Sequence, residues 1–391
     1  MKLLFLAIIS FCLFSNKYFS PKLKFKRVNE VTFYKDGSVL GWAIGDLDGD
    51  SIPEIVYTGP VWGKGLTHTK VKLSYLSVKN NKIILDENKF GNEGLVHGRE
   101  GKIVDIDHDG LKDVIMVGHG YDADPFPGEI NLAFLNKGTH FKKVDNFFPL
   151  KNNFTHGIST GDVNKDGLED FFINNMFPGP SYFLLSNKDK YFTKNLDEVT
   201  LASKIFDLDK DGKQDLILSN NDGKDSAVIY WGSPKFFSEK TKLPIDNKYP
   251  VIPDIAIGDI NNDGKEDILL SSTSERPNFY QTRNIQILLN LGNRNFENGT
   301  DKWIDNLKGK AKWSERLHLV DLNKDGKLDL VSSQHRDMRA IMWLNTGNKF
   351  EVYLHAPKGY LIPADFNKDG KLDILAYYQK GRSSWTLYIQ E

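Results

Sequence analysis

At 391 residues with a formal net charge of −1, the chain is long enough for two or three ordinary domains or for one large repeat architecture. That charge by itself suggests neither nucleic acid nor an acidic partner. A hydrophobic content of 40% with 12% aromatic residues is enough for a substantial core.

The N-terminus reads as an export signal. Met1-Lys2 gives a short basic start, and residues 3–14, LLFLAIISFCLF, form an apolar run of signal-peptide length that is short for a membrane span. Ser10 and Cys12 are small residues at a −3/−1 spacing. An uncleaved anchor is the alternative, while bulky Phe11 disfavours lipid attachment at Cys12. Residues 1–20 are therefore expected to be a signal peptide and residues 21–391 a single exported domain, secreted, periplasmic or at the cell surface. No other segment is apolar enough to cross a bilayer. Cys12 is the only cysteine, so a processed chain must find its cross-links elsewhere or rely on core burial.

Seven acidic nonapeptides follow in chain order: DLDGDSIPE (46–54), DIDHDGLKD (105–113), DVNKDGLED (162–170), DLDKDGKQD (207–215), DINNDGKED (259–267), DLNKDGKLD (321–329) and DFNKDGKLD (365–373). Like charges so close repel, so a cation is expected among them. Oxygens at positions 1, 3 and 5 can converge when the backbone curls. Glycine at position 6 permits the sharp turn, position 7 offers its carbonyl, and position 9 closes the shell. Hard oxygen ligands in a flexible cage suit calcium. The expected ligands are Asp46, Asp48, Asp50, Ile52 and Glu54 in loop one, and Asp105, Asp107, Asp109, Leu111 and Asp113 in loop two. Loop three supplies Asp162, Asn164, Asp166, Leu168 and Asp170, and loop four Asp207, Asp209, Asp211, Lys213 and Asp215. Loop five supplies Asp259, Asn261, Asp263, Lys265 and Asp267. Loop six supplies Asp321, Asn323, Asp325, Lys327 and Asp329, and loop seven Asp365, Asn367, Asp369, Lys371 and Asp373. Up to seven calcium ions are implied. Loop one is the weakest, with Ser51 at position 6, Pro53 at position 8 and Glu54 at position 9.

The flanks exclude an EF-hand, which needs helices on both sides and a glutamate at position 12. Instead each loop runs into an apolar segment, such as VIMVG (114–118) or ILLSS (268–272), which reads as a strand buried on both faces. Short strands such as GISTGD (157–162) precede the loops, and hairpins such as SYFLLSNKDKYF (181–192) follow. Four antiparallel strands per unit of this length indicate an all-β fold, a seven-bladed β-propeller.

GISTGDVNKDGLED (157–170) and IAIGDINNDGKED (255–267) resemble the FG-GAP/VCBS repeats of integrin-α-type propellers, and the likeness covers about residues 22–391. The resemblance implies calcium loops on one rim and recognition on the opposite face. The chain ends where the last blade still needs an outer strand, and LKFKRV (23–28) is expected to supply it and close the ring.

Charge sorts by place. Of 52 acidic residues, 24 occupy loop ligand positions, leaving 28 against 51 Lys and Arg elsewhere. Seven bound calcium ions would take the formal charge from −1 to about +13. The face opposite the loops carries His97, Arg99, His119, Asp122, His156, Trp313, Arg316, His335 and Arg336, residue types that grip sugars and anions. They form the expected ligand site. The expected function is a calcium-stapled binding or adhesion module for a glycan or protein partner outside the cytoplasm, anionic partners included. The chain is expected to be a monomer without nucleic-acid partners and without a membrane span after signal removal. The alternative is a polysaccharide lyase using the His and Arg residues of that face. No catalytic residue is assigned, since nucleophile-elbow, zinc and phosphate-loop motifs are absent from the sequence.

Overall fold

The structure is a computed structural model. It describes residues 23–33, 38–61, 66–149, 151–176, 179–187, 190–220, 226–234, 236–275, 284–305, 314–333, 340–353, 355–380 and 382–391. Among these, seven four-stranded antiparallel sheets and one two-stranded ribbon make up nearly all regular structure. The helix Thr300–Trp303 is short.

Each acidic nonapeptide is the turn between the first two strands of a blade. The residue before the loop pairs with position 9 in all seven: Gly45 with Glu54, Val104 with Asp113, Gly161 with Asp170, Phe206 with Asp215, Gly258 with Asp267, Val320 with Asp329, and Ala364 with Asp373. First strands of neighbouring blades lie side by side around the axis, as Gly41–Gly45 does beside Gly98–Val104. Because every first strand ends at its loop, its start lies on the opposite face.

The second strands carry the core. Glu54–Thr58, Asp113–Gly118, Asp170–Asn175 and Asp267–Thr273 are buried at every residue. Side chains alternate along a strand, so Val114 and Met116 pack with Val56 of blade one, whereas Ile115 and Val117 pack with Phe171 of blade three. Seven such clusters lie one at each blade interface. Fully burying a side chain of this kind contributes about 1.5–3 kcal/mol. This is why the apolar runs do not alternate with polar residues.

Blade seven joins the two ends of the chain. Phe25–Phe33 lies antiparallel to Arg382–Gln390, with Phe25 opposite Gln390 and Phe33 opposite Ser383. It takes the fourth place in the sheet, as expected from LKFKRV, and leaves blade seven with no open edge toward the hairpin.

Candidate functional site

The loop rim is built the same way seven times. Position 6 is left-handed throughout, from Gly110 at φ +89° to Ser51 at φ +65°. Position 4 is left-handed too, at Gly49, His108, Lys165, Lys210, Asn262, Lys324 and Lys368, which no composition pattern announced. The position-1 carboxylate accepts the position-6 amide, as Asp259 Oδ2 does from Gly264 at 2.7 Å. The position-5 carboxylate accepts the position-7 amide, as Asp369 Oδ1 does from Lys371 at 2.8 Å.

Position 9 braces each blade through its own hydrogen bonds. Asp113 Oδ2 accepts the Ile106 amide at 2.7 Å, and its Oδ1 accepts the Asn136 amide of the outer hairpin at 2.7 Å. Asp215, Asp267, Asp329 and Asp373 repeat this double bond. Burial pushes the carboxyls of Asp113, Asp215, Asp267 and Asp373 up to about 6, against the pull of those amides, and neighbouring loop carboxylates add to the rise. Glu54 and Asp329 reach about 7 for the same reasons. Ligand atoms of Asp46, Asp48 and Asp50, of Asp105, Asp107 and Asp113, and of Asp207, Asp209 and Asp215 come within 4.8 Å of one another. Basic side chains lean into the same carboxylates: Lys137 on Asp107 and Asp109 at 2.5 and 2.7 Å, and Arg294 on Asp209 at 2.8 Å. The all-oxygen donor set fits a hard divalent cation.

On the opposite face, six of the sequence-predicted residues meet. The His97 and His119 rings are 4.0 Å apart, and His119 stacks on His156 at 4.8 Å and on Phe154 at 4.3 Å. Arg316 of blade six donates to the Arg99 carbonyl of blade two across 2.7 Å. Local irregularity aims two of these side chains. The first-strand register slips between Gly98 and Glu100 and between Thr155 and Gly157, so Arg99 and His156 are bulge residues, which a regular ladder would point elsewhere. Asp122 lies exposed on the loop after Gly118, with ligand atoms within 4.8 Å of His97 and His119. Trp313, His335 and Arg336 lie outside the described residues.

Glu129 holds this corner in place. It is buried, and it accepts amides from Val96 at 2.8 Å, His97 at 3.1 Å and Gly120 at 2.9 Å. The His119 amide donates to the His97 carbonyl at 3.2 Å. Burial drives the His119 and His156 imidazoles well below the usual histidine range, and the neighbouring His156 and Arg99 add to this for His119 and Arg99, His97 and Arg316 for His156.

The axis of the ring holds a charged cluster that the sequence reading missed. Burial disfavours the charged form of Glu100, but Lys102, Arg316 and Lys204 outweigh it and hold the carboxyl at about 2. Burial pushes Asp254 up against the pull of Lys204 and Arg316. Lys102 Nζ lies 2.7 Å from Glu100. His318 is pushed down to about 3 by burial, then by Arg316 and Lys204, and it stacks on Trp42, whose Nε1 donates to Tyr360 at 3.2 Å. One signal was available: GREGKIV, SKIFD and RLHLVD carry charges in first strands where a packed propeller wants apolar residues.

A family profile described as FG-GAP-like repeat matches residues 105–173, 207–270 and 321–376. No curated protein sequence matches the chain. Among solved structures, the chain is similar to a lectin of Agrocybe aegerita, described as the structural basis of specific recognition of non-reducing terminal N-acetylglucosamine. The identity is 18%, the TM-score 0.52, and the match covers 81% of this chain and 80% of that one. At that identity the likeness concerns the fold alone. With the blades and the repeat match together, the chain is a seven-bladed β-propeller built on FG-GAP-like repeats.

Proposed function

We propose that the protein is an exported, calcium-stapled binding module that takes a glycan, anionic glycans included, at the centre of the face opposite the loops. The observation that carries this reading is the cluster around Arg316. Lys102, Lys204 and Arg316 gather there around Glu100 and Asp254, with Glu315 also beside Arg316 and Arg99 beside His156, and burial holds His156 and His318 neutral. A net positive, partly dehydrated site edged by Trp42 and Tyr360 suits sugar rings bearing carboxylate or sulfate. The lectin likeness agrees with a binding role without naming the ligand. Calcium would be held by positions 1, 3, 5, 7 and 9 and would supply the positive charge the carboxylates need; it would act on recognition only by holding the ring. The test is a glycan array with and without calcium. Binding is expected with calcium, weakening as salt rises. An array silent in both conditions sinks the glycan reading.

The lyase alternative is favoured by one observation, the meeting of three imidazoles with Arg99 and Arg316 near by. Weighing against it, His119 is fully enclosed and its Nδ1 is committed to the Gly120 carbonyl at 3.1 Å. Incubation with acidic polysaccharides and detection of unsaturated sugar ends at 232 nm would separate the two.

A further inference from the structure

The corner formed by His97, His119 and Asp122 is not used by the loop rim, and it lies beside the charged axis, with Arg99 close to His119. His119 shows zero exposure. Its Nδ1 lies 3.1 Å from the Gly120 carbonyl, and a carbonyl only accepts, so Nδ1 carries the proton and Nε2 keeps a lone pair. That Nε2 is buried without a hydrogen-bond partner. Buried acceptors in native proteins almost always have one. The side chains that share its space offer another imidazole and a carboxylate, each with a ligand atom within 4.8 Å of the others.

The geometry points to a zinc site at His97, His119 and Asp122, with a fourth position open to water or to a ligand oxygen. Four features support it. Two imidazole nitrogens and one carboxylate oxygen are a zinc donor set, whereas calcium and magnesium prefer all-oxygen shells. A metal-bound imidazole characteristically donates its other N–H to a backbone carbonyl, as His119 does. The pair is preset, because Glu129 fixes the backbone at His97 and Gly120 and Phe154 stacks on His119 at 12°. In a tetrahedral shell the ligand atoms would stand about 3.4 Å apart, so the exposed loop bearing Asp122 has only a short way to move. Bound zinc would tie that loop to blade two at the edge of the recognition face. This inference stands independently of the glycan reading.

The experiment uses the full chain, stripped with a zinc-selective chelator and kept saturated with calcium. Zinc is titrated by calorimetry, and cobalt is added to a second sample as a visible-absorption probe. One zinc per chain is expected, with a dissociation constant below about 1 μM, and cobalt should give the intense visible bands of a four- or five-coordinate site. Asp122→Asn, on the exposed loop, should weaken zinc at least tenfold, about what loss of even an outer-shell partner costs, with the calcium-loaded melting curve unchanged. His119→Gln should abolish the cobalt bands; if that buried change prevents folding, Asp122→Asn decides alone. A parent chain that takes up no stoichiometric zinc overturns the site, and so does an Asp122→Asn chain that binds zinc like the parent. Glycan binding on the same samples separates the two ideas: glycan bound without zinc uptake sinks only the metal site, and zinc uptake without glycan binding sinks only the glycan reading.

Discussion

Asn136 of blade two donates its side-chain amide to the Leu47 carbonyl in the acidic loop of blade one, across 2.8 Å. Its backbone amide meanwhile donates to Asp113 of its own loop. One residue thus couples two successive loops to the ring. Asn345 repeats the link to Ile260 at 2.8 Å, Gln390 to Leu322 at 2.9 Å, and Asn290 to Leu208 at 3.4 Å.

These links should be measurable as stability. Asn136→Leu and Asn345→Leu each leave a buried loop carbonyl without its donor, so each should destabilise by about 1–3 kcal/mol in urea unfolding. The longer Asn290 contact should matter less. Equal, negligible losses at all three positions would mean that the contacts follow from blade packing and do not hold it.

Calcium should stabilise the chain, and its effect should fade in acid. Six of the seven position-9 carboxyls have folded, metal-free pKa values raised to about 6–7, and burial raises Asp170 as well. The sign follows from linkage. A raised carboxyl favours the folded metal-free state below the unfolded value, near 4, and that contribution is lost as pH rises through 6–7. Calcium requires the ionised form, so below pH 7 it must displace protons. The rise in melting temperature on adding calcium should therefore be large at pH 7.5 and much smaller at pH 5.5. Comparing samples with and without calcium at each pH cancels most of the histidine contribution common to both. A calcium increment independent of pH would remove position 9 from the binding set.

Loop one offers a sharper probe. Ser51 sits at φ +65° where six other loops place glycine. A left-handed non-glycine residue costs about 1–2 kcal/mol, so Ser51→Gly should raise stability by about 1 kcal/mol. A destabilised variant would show that the serine side chain contributes more than its backbone strain removes.

Much of this fold was legible because its signals repeat. Seven loops with one internal ligand spacing located every first-to-second strand turn, and the apolar runs behind them gave the core. The outer strand of blade seven could be placed because LKFKRV (23–28) carries the same Phe-then-basic-and-apolar pattern as the outer strand opening FKKV (141–144). What stayed hidden was contact between distant segments. Nothing local says that the amide of the Asn ending a third strand reaches the preceding loop. Arg99 and His156 were nominated for their chemistry, but the bulges that aim them depend on strand pairing. Glu100, Lys204 and Asp254 converge only once the ring closes, and single strands carry no record of that.

Ring closure itself can be cut. Deleting residues 21–30 removes most of the strand opposite Arg382–Gln390. It also removes Leu23, which packs at the interface of blades six and seven and whose carbonyl accepts Tyr353 Oη at 2.6 Å. The bared edge should aggregate or fail to fold. A soluble deletion chain with the parent's melting curve would make this strand dispensable.

The recognition face should bind anionic ligands through its fixed cations and not through histidine charge. Arg316 sits among Glu100, Asp254 and Tyr360 and bonds the Arg99 carbonyl. Arg316→Gln should weaken binding about 30-fold or more, because it leaves the carboxylates of Glu100, Asp254 and Glu315 with fewer compensating charges. Arg99→Gln should act in the same direction. Burial keeps His119 and His156 well below the ordinary range and His318 at about 3. An exposed histidine near 6.5 would gain charge between pH 8 and 6 and tighten an anionic complex. Here affinity should stay flat across that interval, measured with saturating calcium, while falling steeply with salt at each pH. A several-fold tightening on acidification to pH 6 would mean that the ligand is read by imidazolium, and the site would then centre on His97, His119 and His156 instead of Arg316.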